Sequence, residues 1–394
     1  MIRPSRAAVL VAAGLIAGCA SAPAPVASGR CPCGPAPAPP AHVDVYQEVA
    51  FSDIPGWRDG EQAAAWSALL ASCQALRFRD AWRAACLDAA AMPAPDDAAA
   101  RALLESRFVP WRLAAPDGRT EGLVTGYYEP LLRGSRVRQP PFVHPLYAPP
   151  DDLLTIDLSA VNPDLRNLRL RGRLQGRKVV PYYSRAEIES GAAPVAGKEL
   201  VWVDDAVEAF FLQIQGSGRI RLGNGETLRV GYADQNGHPY QSIGRYLVDR
   251  GELQPGEASM QAIRAWAESH PDRLPELLNQ NPSYVFFREL PLADPSAGPI
   301  GALGVPLTPQ RSIAVDPRYV PLGAPAFLGT TWPSSDLPLN RLVVAQDTGG
   351  AIRGPVRADY FWGFGPEAGA LAGRMRQQGA LWVLLPKGMK PPAP

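Results

Sequence analysis

Two aspartates near the C-terminus are the residues best suited to acid–base chemistry. The segment VVAQDTGGAIRGPVRADYFWGFGPEAG, residues 343–369, ends one apolar run at Asp347 and begins another at Asp359, with glycine-rich loops between them. Three aromatic residues follow Asp359. Cleavage of a glycosidic bond needs a carboxyl group near the scissile oxygen, and aromatic surfaces stack on sugar faces. The alternative is structural: Asp347 caps a turn, and Asp359 pairs with an arginine such as Arg357.

Two further segments combine polar and aromatic side chains at the ends of predicted strands. TGYYEP, residues 125–130, is typical of surfaces that contact sugars, and equally of ordinary β-sheet. In FFLQIQGSGRI, alternation predicts a strand with Phe211, Gln213 and Gln215 on one face. Their amides suit hydroxyl and N-acetyl groups, but they also suit the solvent side of a half-buried strand.

Composition and charge argue against several classes of function. The chain has 39 basic and 38 acidic residues and no basic run, so nucleic acid is not an expected partner. It has only four histidines, and no cysteine–histidine spacing resembles a zinc site, so we expect no metal and no cofactor. Ser217 has no Gly-x-Ser-x-Gly context and His238 has no evident partner, which disfavours a serine hydrolase.

The N-terminus has the features of an exported lipoprotein. Two arginines precede an apolar run at 7–17, which has the length of a secretory signal and is too short to span a bilayer. Small residues then lead to Cys19, as in bacterial lipoproteins. We therefore predict a signal peptide at 1–18 and a lipidated tether, rich in proline and alanine, at 19–44. A plain signal peptide, with Cys19 incidental, is the alternative.

The remaining cysteines pose a question of pairing. Cys73 and Cys86 lie in adjacent alanine-rich stretches, where they either bridge a helical hairpin in an oxidising compartment or remain two buried thiols. Cys31 and Cys33 are separated by one proline, and a bridge across one residue would be strained. We assign no function to that pair.

The elements that carry these residues are mostly short strands. Residues 60–106 have apolar residues at helical spacing, Ser259 is a predicted helix N-cap, and a last helix is predicted at about 366–377. From about residue 108, β-rich runs alternate with glycine and proline turns. The predicted strands are 123–128, 178–183, 200–203, 209–215, 227–232, 284–287, 312–315, 326–328, 341–346, 359–362 and 381–384. This pattern predicts a mainly β protein with peripheral helices, and its length suggests two domains.

Taken together, several segments resemble the murein lytic transglycosylase A family, and they occur in one order along the chain. They are TGYYEP, LQIQGSGRI, GYADQNGHPYQSIGRYL, NPSYVFF, PLTPQRSIAVDPRYVPLGAP, and AQDTGGAIRG followed by ADYFWGFGPEAG. The resemblance covers residues 45–390. It implies a two-domain fold in which 45–130 and 283–390 form a catalytic domain with a double-psi β-barrel. Residues 131–282 then form a smaller inserted β-rich domain, and the glycan lies in the groove between the two.

The resemblance also implies roles for particular residues. Asp359 is expected to be the catalytic acid and Asp347 to support it. To hold a proton near neutral pH, Asp359 needs a raised pKa, for which we expect burial among Tyr360, Phe361 and Trp362 and the charge of Asp347 to be responsible. The residues expected to bind substrate are Thr125, Tyr127, Tyr128, Glu129, Gln213, Gln215 and Ser217.

The implied reaction cleaves the β-1,4 bond between N-acetylmuramic acid and N-acetylglucosamine in peptidoglycan. The muramyl C6 hydroxyl attacks its own C1, so that one carboxyl group suffices and no water is needed. The implied partners are glycan strands, the membrane through a lipid anchor at Cys19, and other cell-wall enzymes. The implied location is the outer membrane, facing the periplasm. Three alternatives stay open: a glycan-binding lipoprotein without catalysis, a muramidase that uses water, and a structural envelope lipoprotein.

Overall fold

The computed structural model describes residues 44–162, 165, 170–291 and 297–393. Residues 43–394 form one compact unit. The predicted signal peptide, the lipidated Cys19 and the tether cysteines Cys31 and Cys33 lie outside the described residues. Within the described ranges, no helix combines the length and the apolar character needed to cross a bilayer.

The chain is mostly β-strand with a smaller number of helices. In chain order the strands are β1 (Tyr46–Glu48), β2 (Phe108–Leu113), β3 (Gly122–Glu129), β4 (Leu131–Ser135), β5 (His144–Tyr147), β6 (Leu154–Thr155), β7 (Arg171–Gln175), β8 (Lys178–Pro181), β9 (Glu199–Val203), β10 (Ser217–Leu222), β11 (Thr227–Gln235), β12 (Val285–Leu290), β13 (Ser312–Val315), β14 (Pro325–Thr331), β15 (Pro338–Asp347), β16 (Ala358–Phe364) and β17 (Arg376–Pro386). The α-helices are α1 (Trp66–Leu76), α2 (Asp80–Ala90), α3 (Asp97–Arg107), α4 (Arg185–Glu189), α5 (Ala206–Gln215), α6 (Ile243–Asp249), α7 (Met260–Ser269), α8 (Leu274–Asn279) and α9 (Gly365–Arg374).

Eight strands form the larger sheet, and six of them close into a ring. The hydrogen-bonded order is β1-β2-β17-β14-β15-β13-β16-β3, and β3 also pairs with β17. Within the ring, β3 runs parallel to β16 and β13 runs parallel to β15. The other ring pairs are antiparallel. At 11 residues, β17 is long enough to pair with β3 through its first part and with β2 through its second.

The segment between β3 and β13 forms two smaller sheets. A six-stranded sheet has the order β12-β11-β10-β4-β9-β5, and β6, β7 and β8 form a three-stranded sheet. Helices α4 to α8 lie in the same segment. Because β12 pairs with β11, residues 285–290 lie with the six-stranded sheet, beyond the predicted boundary at 282.

Separate cores support the ring and the six-stranded sheet. The main core joins inward side chains of the ring, such as Val124 and Tyr360, to apolar residues of α1, α2 and α3. A second core under the six-stranded sheet contains Leu132, Ile220 and Phe287. The predicted helical region is therefore confirmed as a layer packed on the ring. Cys73 of α1 and Cys86 of α2 form a disulfide, so the bridged alternative is the one present.

The structure corrects the predicted strand at 209–215, which lies in α5. Asp205 begins this helix, because its side chain accepts hydrogen bonds from the backbone N–H groups of Val207 and Glu208. Gly216, with φ +78°, ends it in the left-handed conformation that glycine adopts readily. A short apolar run fits both the helical and the strand period, which explains the wrong prediction.

The other predicted helices need smaller changes. Ser259 is confirmed as the N-cap of α7, since its hydroxyl accepts from the N–H of Ala262 at 3.1 Å. Helix α9 ends at Arg374, earlier than predicted, because Gln377 already belongs to β17.

Candidate active site

Asp347 and Asp359 lie on one row of paired residues that crosses the ring. Ala314 of β13 pairs with Asp359 of β16 on one side and with Asp347 of β15 on the other. Thr125 of β3 is the next partner of Asp359. Residues paired across neighbouring strands present their side chains to the same face, so both acids lie on one face of the ring. With strands about 4.8 Å apart, the two aspartate Cα atoms are on the order of 10 Å apart.

Around Asp359, that face carries a small apolar cluster that is separate from the main core. Tyr360 and Trp362 of β16 belong to the main core, whereas Phe361 joins a small separate cluster. The other members of this cluster are Tyr127, Leu307, Ala314 and Ile352. Because strand side chains alternate between faces, Asp359 is on the side of Phe361. Asp359 and Asp347 are both partly buried, at the edge of this apolar cluster.

Thr125 and Arg357 determine how Asp359 is oriented. The Thr125 hydroxyl donates to Asp359 Oδ1 at 2.5 Å, and Arg357 Nη2 donates to Thr125 Oγ1 at 2.9 Å. A guanidinium has only donors, so the single hydroxyl proton of Thr125 is directed to Asp359. When Asp359 is protonated, its proton therefore belongs on Oδ2. Asp359 forms no ion pair with any described residue, so the alternative that it pairs with an arginine is wrong.

The two carboxyl groups have raised pKa values. Burial raises the pKa of Asp359, and the Thr125 hydrogen bond and the charge of Arg357 act in the opposite direction. Burial also raises the pKa of Asp347, against the hydrogen bonds that this group accepts, and the charge of Asp359 raises it further. A raised pKa keeps a carboxyl group protonated to higher pH, which a general acid requires.

Asp347 is held by three hydrogen bonds. The Tyr127 hydroxyl donates to its Oδ2 at 3.1 Å. The backbone N–H groups of Ala302 and Thr348 donate to its Oδ1 at 3.0 and 2.9 Å. The bond from Thr348 is the local turn contact that the structural alternative expected. The bonds from Tyr127 and Ala302 come from distant segments and fix the carboxylate beside the apolar cluster.

A shift of strand register directs Asp347 to this face. The pairing of β13 with β15 skips Gln346, which is the extra residue of a β-bulge. The fully buried Gln346 side chain accepts from Ser312 Oγ at 2.5 Å and donates to Ala68 O and Ser72 Oγ of α1 at 2.8 and 2.9 Å. Helix α1 thus anchors the bulge that precedes Asp347.

Tyr128 and Gln215 meet on the other side of β3. Strand alternation turns Tyr128 away from Tyr127, and Gln215 Oε1 accepts from the Tyr128 N–H at 3.1 Å. Both residues line a cavity of about 210 Å³, together with Phe211, Tyr240 and residues of α6, α7 and α9. These two predicted residues are brought together, but not next to Asp359.

Glu129 and Gln213 do not reach an open surface. Glu129 is fully buried and accepts from Arg229 Nε at 2.8 Å and Arg219 Nε at 2.9 Å. Gln213 is buried, and its Oε1 accepts from Arg185 Nη2 at 2.7 Å and the Val285 N–H at 3.2 Å. The expectation that these two side chains line a groove is therefore not supported.

Ser217 is the last of the predicted site residues, and two groups of the site, Arg357 and the backbone N–H of Ala302, were not predicted. Ser217 opens β10, where it pairs with Gly231. Arg357 was considered only as an ion-pair partner, although it lies just before β16 and two residues before Asp359, where an extended chain puts both side chains on one face. The N–H of Ala302 is a backbone group with no sequence signal. In the ranges that the structure describes, no three histidine, cysteine or acidic side chains are arranged to hold a metal ion.

Comparison with known proteins places these features in one family. The family model for the MltA specific insert domain matches residues 123–288, and that for the 3D domain matches residues 311–385. Membrane-bound lytic murein transglycosylase A of Escherichia coli (strain K12) is 36% identical over 282 residues, which cover 70% of this chain and 68% of that protein.

Solved structures agree with this match. The crystal structure of MltA from Neisseria gonorrhoeae is 41% identical with a TM-score of 0.76, and the match covers 89% of this chain and 94% of that one. A structure of Escherichia coli MltA with bound chitohexaose is 28% identical with a TM-score of 0.66, covering 90% and 97% of the two chains. The chain therefore belongs to the membrane-bound lytic murein transglycosylase A family and is an enzyme that cleaves peptidoglycan.

Proposed function

We propose that this enzyme cleaves the β-1,4 bond between N-acetylmuramic acid and N-acetylglucosamine, leaves 1,6-anhydromuramyl ends and acts in cell-wall turnover. The observation that carries the proposal is Asp359, a partly buried acid with a raised pKa whose Oδ2 is free of Thr125. The chitohexaose bound to the Escherichia coli relative supports a glycan as the ligand.

In the proposed mechanism Asp359 acts first as acid and then as base. Its Oδ2 proton passes to the glycosidic oxygen as the bond from C1 to that oxygen breaks. The C6 hydroxyl of the same sugar attacks C1 and gives its proton to the Asp359 carboxylate, which restores the acid. The attack is intramolecular and benefits from high effective molarity, so no second catalytic carboxyl group is required.

Asp347 and Tyr127 have a supporting role in this proposal. Their hydrogen bond at 3.1 Å joins β15 to β3 beside the row of paired residues that includes Asp359. Asp347 orients the sugar on the face that it shares with Asp359. Thr125 positions Asp359, and the buried Tyr127 positions Asp347 through its hydroxyl. Tyr128 and Gln215 bind a more distant part of the glycan in the cavity that they line.

The domain division and the barrel type are further parts of the proposal. We infer that the closed ring is a double-psi β-barrel whose strands come from 45–130 and 283–390. The inserted domain is 131–282 together with β12, which pairs with β11. The parallel pairs β3–β16 and β13–β15 support the barrel type. The match of the insert-domain model to 123–288 supports the division.

The cellular location is also proposed. We infer a lipid anchor at Cys19 in the outer membrane, with the enzyme facing the periplasm and with other cell-wall enzymes as partners. The relatives' description as membrane-bound supports the attachment.

Digestion of purified sacculi tests the reaction. Wild-type enzyme is expected to release muropeptides whose masses show no added water, whereas a hydrolase adds one water per cleavage. Asp359→Asn should lower the rate by about 10²–10⁴-fold, the usual contribution of a general acid, and Asp347→Asn should lower it less. Circular dichroism of each variant checks that the fold is kept. Hydrated products, or full activity of Asp359→Asn, would contradict the proposal.

A further inference from the structure

A cavity of about 670 Å³, with both charged and apolar side chains in its lining, opens beside the row of paired residues that includes Asp359. Its lining includes Arg376, Gln378 and Trp382 of β17, Arg112 of β2 and Asn340 of β15. None of these residues belongs to the site described above.

The cavity begins one strand away from the group that contacts Asp359. Arg376 pairs with Thr125 across β17 and β3, so it extends the row formed by Asp347, Ala314, Asp359 and Thr125. Side chains of paired residues share a face, so Arg376 projects from the same face of the ring as the two acids. A molecule bound at Asp359 can therefore reach the cavity without passing through the protein.

The cavity has the length of a short peptide. Arg376, Gln378 and Trp382 alternate along one face of β17. The six steps along β17 from Arg376 to Trp382 span about 20 Å at roughly 3.3 Å per residue. An extended peptide of five residues spans at most about 18 Å.

Two cations in the cavity have unused hydrogen-bonding capacity. The Arg376 side chain is exposed and forms no hydrogen bond or ion pair with any described residue. Arg112 donates through Nη2 to Thr120 Oγ1 at 2.8 Å, but its buried Nε has no partner among the described residues. Guanidinium groups of this kind bind carboxylates through paired hydrogen bonds.

Acidic side chains at the rim complement the two arginines. Glu121 and Asp336 line the same cavity, are exposed and form no ion pair with described residues. The cavity thus offers positive charge to carboxylates and negative charge to an amine. A glycan without stems offers only its lactyl carboxylates, whereas a short peptide with free carboxylates and a free amine uses both kinds of charge.

We propose that this cavity binds the peptide stem of the muramyl residue at the scissile bond, with Arg376 and Arg112 holding its carboxylates. The stem is attached to the lactyl group of the muramyl ring, so it leaves the glycan close to the bond that Asp359 cleaves. The inference rests on the proposed function and deepens it: the preferred substrate is glycan that carries peptides.

Kinetics on two matched substrates test the proposal. One is soluble glycan with its stems, and the other is the same glycan after an amidase has removed them. Arg376→Ala should lower kcat/KM on the stem-bearing glycan by about tenfold or more, the usual effect of losing a charged hydrogen bond. The ratio of kcat/KM between the two substrates should fall by the same factor. Arg177→Ala, which removes an exposed arginine from the turn between β7 and β8, should leave this ratio unchanged.

The outcomes separate this inference from the proposed function. An equal loss on both substrates, or no loss on either, overturns the stem site. Failure of the wild-type enzyme to release anhydro products overturns the proposed function instead. In that case calorimetry with the free tetrapeptide stem still tests the cavity, because binding to the wild type and about tenfold weaker binding to Arg376→Ala are expected. Equal binding to both proteins, or none to either, contradicts the inference.

Discussion

The chemistry of single residues in this site depends on where one proton is held. Arg357 occupies a lone pair of the Thr125 hydroxyl, and Thr125 in turn occupies Oδ1 of Asp359. Arg357 also makes two further hydrogen bonds, to the carbonyl oxygens of Leu123 and Ala358. Because its guanidinium is fixed at the backbone of both strands, its charge stays close to Asp359 without forming an ion pair.

Removing the charge of Arg357 should shift the pH dependence of catalysis. In the proposed mechanism the protonated form of Asp359 is the active one, so activity is expected below its pKa and should be lost as the pH rises through it. The charge of Arg357 lowers this pKa. In Arg357→Gln the pKa should therefore be higher, and the alkaline limb of kcat/KM should move to higher pH.

Arg357→Lys is the matched control for this prediction, because it keeps the positive charge. Its alkaline limb should stay closer to that of the wild type. A shift of the Arg357→Gln limb to lower pH, or an identical limb with only a lower maximum, would show that Arg357 does not tune Asp359.

The sequence identified some of these side chains better than others. Asp359, Asp347 and Thr125 were singled out, and the structure brings them onto one row of the ring, while their catalytic and binding roles stay predictions. Glu129 and Gln213 were misjudged because their arginine partners are distant in sequence: Glu129 and Arg229 are 100 residues apart. A local pattern cannot tell an acid in a groove from an acid buried against such a partner.

At the scale of elements, one buried ion-pair cluster joins the ring to the six-stranded sheet. Glu129, at the end of β3, accepts hydrogen bonds from Arg219 of β10 and Arg229 of β11. Both arginines also donate to the carbonyl oxygen of Ala297, where the chain returns to the ring. The Arg219 guanidinium lies 4.0 Å from the ring centroid of Phe364, at the end of β16. The cluster thus links the two places where the chain passes between the ring and the six-stranded sheet.

Loss of Glu129 should destabilise the protein strongly. Glu129→Ala leaves two buried guanidinium groups without their carboxylate, which typically costs about 3–5 kcal/mol in the free energy of unfolding. Urea denaturation followed by tryptophan fluorescence measures the change. Asp117→Ala, which removes an exposed partner of Arg119, should leave the midpoint almost unchanged. Equal midpoints for both variants would mean that the cluster does not hold the two sheets together.

The helices and strands were predictable where apolar residues recur at a regular spacing over a long stretch. The N-terminal helices were found because apolar periodicity over ten or more residues distinguishes a helix from a strand. A predicted strand also falls within each of the six ring strands. Helix α5 was missed because its apolar stretch is short and alternates. Its true signals were Asp205 at the N-cap and Gly216 at the C-terminal end.

At the scale of the whole molecule, every described site residue lies in one compact unit, residues 43–394. The proposed anchor at Cys19 lies outside this unit. We therefore expect Cys19→Ser to move the protein from the membrane pellet to the soluble fraction, with unchanged specific activity on sacculi. Fractionation of cells followed by the sacculus assay measures both. A variant that still pellets with the membranes would contradict a lipid anchor at this position.

The closed ring is the feature that periodicity could not predict. Its decisive pairing joins β3 to β16, and the Thr125–Asp359 hydrogen bond within it spans 234 residues. Strand periodicity shows that a segment has two faces, but it does not show which distant strand lies beside it. The resemblance to a family supplied the two-domain organisation, and the pairing itself became visible only in three dimensions.

The disulfide between α1 and α2 has a consequence for how the enzyme is made. Cys73 and Cys86 are 13 residues apart, and closing a loop of about this size typically stabilises a protein by about 3 kcal/mol. Such a bond forms in an oxidising compartment and not in the reducing cytoplasm. If the chain is exported, as its N-terminus predicts, it completes its stability only after crossing the inner membrane. Before export, the folded state of the chain is therefore less stable, at the stage when the chain still has to pass through a translocation channel.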